Sequence, residues 1–349
     1  MKNIERQLIE SISFSPKSLE FPDSWIGHLP FAAFLIEKCR PEIFVELGTH
    51  SGNSYFSFCQ AVKENKIQTK CYAIDSWKGE EHAGIYGEEI FEKVNTHNQK
   101  HYASFSKLMR MQFDEAADYF SDSCIGLLHI DGFHTYDAVK HDFETWEKKL
   151  TPNAFIIFHD INVREQNFGV WKFWEEMKAR YPLNIDFLHS HGLGVVFTGN
   201  DEQSFPWMHP QTEEQKIVQT FFQNIGEKQF HAYNLLREQE KNKYLKDEIN
   251  NLHIQFENLK AEHNIYKAEY NMRIDTLQNE LTHKESFFRE TEHNLYAEIS
   301  FLQQSCNEFT QSRSWRITKP LRIVGQIIRN KKKFLKSDVW PFQRLQRYH

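Results

Sequence analysis

From Glu227 to Lys319 the 349-residue chain has neither glycine nor proline. Nothing in that stretch interrupts a helix, so one long rod can run through it. Long apolar runs are also missing. None approaches the roughly 18 residues of a membrane span, and Met1-Lys2-Asn3-Ile4-Glu5-Arg6 leads into a polar amphipathic stretch. Cysteine is scarce: Cys39, Cys59, Cys71, Cys124 and Cys306 form no C-x-x-C pair, and four of them sit in apolar segments. They read as buried thiols of a reducing compartment, and the expected location is cytoplasmic.

Acidic residues are nearly absent from the last segment. Eleven basic residues from Arg313 to Arg347 face only Asp338, a net of +10, and with the whole chain at −6 everything before Arg313 carries −16. An acidic body argues against nucleic acid as a partner.

What is present centres on Phe44-Val45-Glu46-Leu47-Gly48-Thr49-His50-Ser51-Gly52-Asn53-Ser54. Apolar residues run into an acidic one, two glycines stand four apart, and a helical pattern follows through Val62, which reads as strand, tight turn, helix. Glycine lets backbone approach a ligand, and a helix N-terminus offers free N–H donors. A dinucleotide fingerprint needs G-x-G-x-x-G, and here His50 stands in place of its second glycine, so a ligand without a pyrophosphate fits better.

Glu46-x-Gly48-x-x-x-Gly52, followed by an acidic residue ending the next strand at Tyr72-Ala73-Ile74-Asp75, resembles the first two motifs of class I S-adenosylmethionine-dependent methyltransferases. The resemblance covers about residues 24 to 200. It implies an α/β, Rossmann-like, seven-stranded, mostly parallel sheet with helices on both faces, closed by a hairpin of Ile185 to Leu188 and Leu193 to Thr198. It further implies a cofactor site made by Glu46, Gly48, Thr49, Gly52, Asp75, Ser76, Trp77, Asp114 and Asp131. Asp75 would accept from both ribose hydroxyls. Trp77 either stacks on adenine or simply packs. Ser76 to Gly87 reads as a lid or substrate wall.

Three acidic residues follow strand ends: Asp75, Asp131 and Asp160. Asp131-Gly132-Phe133-His134 and Phe158-His159-Asp160 resemble the macrocin-type bacterial sugar O-methyltransferases and the methyltransferase domains found beside glycosyltransferases of surface-polysaccharide synthesis. That implies magnesium on Asp131 and Asp160 and His134 as base. Ile161 stands where those relatives have a second adjacent ligand, so His159 or Asn162 would complete the set. Without metal, Asp131 would orient His134, whose ordinary pKa of about 6.5 suits proton removal near neutral pH. A locally bonded helix-start histidine is the third possibility. Trp77, Tyr86, Tyr102, Trp171 and Trp174 are available to face a sugar ring.

Leu245, Ile249, Leu252, Phe256 and Leu259 keep a four-three spacing that slips at Ile274 and resumes at Leu295, Ile299, Leu302 and Phe309. Stutters of this kind loosen a supercoil without ending it. The expected organisation is a methyltransferase domain over 1–205, a linker over 206–226, a coiled coil over 227–319 and a basic amphipathic tail over 320–349, with Pro320 breaking the rod. The expected partners are a sugar or glycan acceptor, further copies of the chain through the coil, and either a membrane surface or a glycosyltransferase at the tail. Two functions stay open: a methyltransferase acting on a glycan, or a cofactor-binding scaffold or chain-length partner of a glycosyltransferase.

Overall fold

The computed structural model describes residues 2–79, 87–165, 167–200 and 203–334. The chain divides into two compact units, Met1–Lys246 and Asp247–His349.

In the first unit, α1 (Lys2–Ser11) and α2 (Leu29–Cys39) precede an alternating series. It runs β1 (Ile43–Leu47), α3 (Asn53–Glu64), β2 (Lys70–Asp75), α4 (Glu88–His101), β3 (Ser106–Arg110), α5 (Phe113–Ala117), β4 (Ile125–Ile130), α6 (Tyr136–Trp146), β5 (Leu150–His159), α7 (Val170–Arg180), β6 (Asn184–Phe187) and β7 (Leu193–Phe197). The strands form one seven-stranded sheet in the order β3-β2-β1-β4-β5-β7-β6. Only β7 runs antiparallel, against both β5 and β6. The Rossmann-like fold expected from alternating strand and helix patterns is the fold observed.

Successive residues of a strand point to opposite faces, and the core divides accordingly. Phe44, Leu127 and Phe155 join α2 and α3 on one face. Val45, Leu128 and Ile156 join α6 and α7 on the other. With both faces covered, the strands carry apolar runs rather than an alternation. The parallel register sets Leu47 beside both Ile74 and Ile130, and Ile130 beside Phe158. Residues 48, 75, 131, 159 and 160 therefore emerge along one edge of the sheet, at the switch point where ligands of open α/β sheets gather.

Some boundaries differ from the sequence reading. Helix α6 ends at Trp146 and Leu150 already belongs to β5, whose pairing with β4 carries a register shift between Ile125 and Leu127. A further helix, α8 (Glu213–Gln311), begins inside the stretch expected to be a linker. Thr212 accepts from the Gln215 N–H at 3.2 Å while Gln215 accepts from the Gln211 N–H at 3.0 Å, which caps its start. Val218, Phe222, Gly226 and Tyr233 bury its first turns in the first unit.

In the second unit the helix is exposed at every residue from Asp247 to Gln311. It stops at Ser312 rather than Pro320, because the Ser312 hydroxyl accepts from the Trp315 N–H at 3.3 Å and starts α9 (Arg313–Phe334). Pro320 lies inside α9.

Candidate functional site

A cavity of about 360 Å³ opens at the carboxyl edge of β1, β2, β4 and β5. Gly48, Thr49, His50, Asp75 and Ser76 line one part of it, and Asp131, Phe133, His134, His159, Asp160, Phe168 and His191 line another. Tyr86 and most of the expected lid lie outside the described residues.

The glycine turn is built on Gly48, whose φ of +87° suits glycine and where a Cβ would strike the Asp131 carbonyl. Asp75 holds the turn. Its Oδ2 accepts from the Thr49 and His50 N–H groups, both at 2.9 Å, and its Oδ1 from the Trp77 N–H at 2.7 Å. The carboxylate expected to serve a ribose thus organises the loop, and Asp75 also lines the cavity.

Four residues assigned to the cofactor from sequence lie outside the cavity lining. Trp77 is buried, donates its indole N–H to the His50 carbonyl at 3.0 Å and packs on Phe91, so it is a packing residue. Asp114 is exposed and pairs with His141 at 3.0 Å, outside the cavity lining. Glu46 is fully buried and bonds His129 Nδ1 at 2.8 Å, so it acts below the cavity floor. Gly52 caps α3 with φ of +86° rather than lining the cavity.

At the β4 and β5 edge four ionisable side chains interlock. His134 Nε2 lies 2.9 Å from Asp160 Oδ2 and 3.7 Å from Asp131 Oδ1. His159 Nδ1 lies 3.2 Å from Asp131 Oδ1 and 3.3 Å from Asp160 Oδ2, while its Nε2 faces the Ser190 carbonyl at 3.2 Å. A carbonyl only accepts, and so do carboxylates, so both nitrogens of His159 donate and the ring is an imidazolium. Burial opposes that charge, but Asp160 and Asp131 overcome it and hold the pKa well above the ordinary value. Burial likewise opposes charge on His134, and its bonds to Asp131 and Asp160 raise it to about 9. Burial would raise both carboxylates, yet His159 and the neighbouring imidazoles hold them well below the usual range.

Two expectations bear on this cluster. His159 turns Nδ1 to both carboxylates and Nε2 to the Ser190 carbonyl, and it is not among the residues whose ligand atoms gather. His134, bonded to both carboxylates and with its pKa raised to about 9, is held toward its protonated form in this cluster. Asp131, His134 and Asp160 each present one ligand atom, all within 4.8 Å of one another.

Sequence reasoning missed the supports of this cluster. His191 Nδ1 lies 3.1 Å from Asp160 Oδ1, Phe168 stacks on His134 at 4.7 Å, and Trp25 packs against both His129 and His159. Asp160, Ser190 and His191 hold left-handed backbone, which L-residues adopt where surrounding structure enforces it. Only the Ser-His-Gly turn before β7 hinted at this.

Residues 45–161 match a family model described as a methyltransferase domain. That match lies wholly within the first unit and covers about a third of the chain. The chain is 50% identical over 178 residues to the uncharacterized protein y4gI of Sinorhizobium fredii (strain NBRC 101917 / NGR234), an alignment covering 51% of this chain and 19% of that protein. The chain thus spans about one fifth of that relative's length. Among solved structures, the domain is similar to the O-methyltransferase TomG of Streptomyces achromogenes, solved in complex with SAM, at 12% identity and a TM-score of 0.38 over 57% of this chain and 89% of that one. A methyltransferase from Geobacter sulfurreducens is similar at 14% identity and a TM-score of 0.37, over 56% and 85%.

Proposed function

We propose that the first unit transfers a methyl group from S-adenosylmethionine to an oxygen acceptor, and that the acceptor is a sugar hydroxyl of a surface glycan or its precursor. One observation carries this reading: the glycine turn at Gly48 and the Asp131, His134 and Asp160 cluster face one cavity at the switch point of a methyltransferase-domain sheet.

The residues present fit the cofactor. Gly48 has no side chain to obstruct a ligand, and Thr49, Asp75 and Ser76 line the cavity beside it. When bound, S-adenosylmethionine supplies an electrophilic methyl group. The chain's own part is to aim the acceptor oxygen along the methyl axis and hold it there, which supplies much of the acceleration. Phe133 and Phe168 are placed to exclude water from that part of the cavity.

The donor set also fits a hard divalent cation such as magnesium, held by Asp131, His134 and Asp160. Such an ion supplies a Lewis acid that acidifies a hydroxyl. In its absence the carboxylates of Asp131 and Asp160 keep the proton on His134.

A bulky, hydroxyl-rich acceptor is supported by a second cavity of about 350 Å³, which shares Asp23, Ser24 and His191 with the first. Glu227, Phe230 and His231 of α8 wall it, offering an aromatic face and several polar groups. The sugar itself rests on the motif resemblance.

One observation favours a second reading, a cofactor-binding scaffold in a glycosyltransferase complex: the four-residue cluster is closed and internally neutralised. Calorimetry with S-adenosylmethionine tests the shared claim. The full chain should bind, and Gly48→Val should not. Radiolabelled methyl transfer to a panel of nucleotide sugars and oligosaccharides, with and without magnesium, then separates the readings. Turnover supports the enzyme; tight binding with no product on any acceptor supports the scaffold; no binding overturns both.

A further inference from the structure

We infer that α9 is a membrane-surface helix that lays its apolar side into an anionic lipid bilayer. The inference stands on the second unit alone and does not depend on the methyltransferase reading.

At about 100° per residue, Ile317, Leu321, Val324 and Ile328 fall within an arc of about 60°, with Ile327 on its flank. All are exposed, from 54% at Val324 and Ile328 to 76% at Ile317. Lys319, Arg322 and Arg329 project from the opposite side of the same helix. Between Arg313 and Phe334 there are eight basic residues and no acidic one. A helix of a soluble surface would carry charges of both signs, and one that docks in an ordinary apolar groove needs no such excess. An apolar stripe beneath an unbalanced basic side matches the interface between acyl chains and anionic headgroups.

Pro320 does not disqualify the helix. It removes one backbone donor, and side chains reinforce that turn: the Arg322 guanidinium donates to the Trp315 carbonyl at 2.6 Å and to Thr318 Oγ1 at 2.7 Å, and Thr318 donates to the Ser314 carbonyl at 2.9 Å. Arg322 also lies over the Trp315 ring, an amphipathic pairing suited to headgroup level. No helix among the described residues is long and apolar enough to cross a membrane, so α9 would lie on the surface.

Flotation of the full chain with phosphatidylglycerol vesicles and with phosphatidylcholine vesicles tests this. The chain should float with the first at low salt and stay at the bottom with the second. Raising the salt screens the basic residues and should lower the bound fraction by about tenfold or more. Leu321→Glu with Val324→Glu should abolish flotation while circular dichroism keeps the helical signal. A full chain that stays at the bottom with phosphatidylglycerol at low salt overturns the inference and makes α9 a protein-docking helix. Flotation unchanged by the two substitutions overturns it as well, since charge alone would then suffice.

Discussion

His134 Nε2 and Asp160 Oδ2 stand 2.9 Å apart, joining the residue that leads into α6 to the one just past β5. Asp160 is nearly buried and serves His134, His159 and His191 together, so its charge is the hub of the cluster. Removing one partner of a buried charge pair leaves the others uncompensated, at a cost of about 3 to 5 kcal/mol. Asp160→Ala should therefore lower the urea midpoint of the first unit markedly, and Asp160→Asn, which keeps the shape, should cost less. Equal midpoints for parent and Asp160→Ala would show that the cluster adds nothing to stability.

Asp75 makes a different prediction from the one its motif suggests. Three backbone N–H groups end on its carboxylate, so Asp75→Ala should lose loop order as well as cofactor affinity. Charge-assisted bonds contribute about 1.5 to 3 kcal/mol each, so both the unfolding midpoint and the calorimetric affinity for S-adenosylmethionine should drop. A loss of affinity with unchanged stability would return Asp75 to a purely ligand-facing role.

The contrast marks what could be read from sequence. Strand and helix periods, the glycine turn and the acidic strand ends are local signals, and β1 to β7 and the edge at Gly48, Asp75, Asp131 and Asp160 follow from them. The start of α8 was legible too, since Thr212-x-x-Gln215 is a capping-box spacing, but the expectation of a linker hid it. Side-chain direction was not legible. Trp77 turns into the core, Asp114 turns to solvent, and His134 and His159 have their protonation set by carboxylates from distant parts of the chain. No spacing encodes that His134 and His159 turn to the same pair of carboxylates.

Asp142 gives a pH dependence. It lies nearly buried on α6, and burial, opposed by His141 and aided by Asp114, pushes its pKa up to about 7. Since the folded state holds this proton more tightly than the unfolded chain, with its ordinary value of 3.8, the folded state binds more protons between those two pH values. Stability contributed by the group is present below pH 4 and falls as pH rises to 7, by at most about 1.4 kcal/mol per unit. Asp142→Asn should remove that fall, so the difference in unfolding free energy between variant and parent should grow in the variant's favour from pH 4 to 7 and then level off. A constant difference across the range would mean that Asp142 stays ionised.

Gly226 tests how α8 is seated in the first unit. A Cβ there would collide with the Gly27 carbonyl and come within 2.9 Å of His189 Nε2, so Gly226→Ala forces the helix away from backbone that cannot yield. Overpacking of this kind costs about 1 to 3 kcal/mol, against the few tenths to 1 kcal/mol gained from alanine's helix propensity. Thermal unfolding should show a net loss. A gain would mean that α8 reseats freely.

The rod of the second unit should self-associate. Leu252, Phe256, Leu259, Leu295 and Leu302 keep coiled-coil spacing, and each is more than half exposed along a helix with no partner among the described residues. Burying such a stripe against another copy gains about 25 cal/mol per Å², repeated over many turns, although His263, Tyr266 and Tyr270 in the same seam weaken its middle. Light scattering on the full chain at micromolar concentration should give a mass that is a multiple of 41.7 kDa. Leu252→Asp with Leu259→Asp should lower that mass while leaving S-adenosylmethionine binding by the first unit unchanged. A monomer in the parent would leave the stripe to a different protein, and self-association would be wrong.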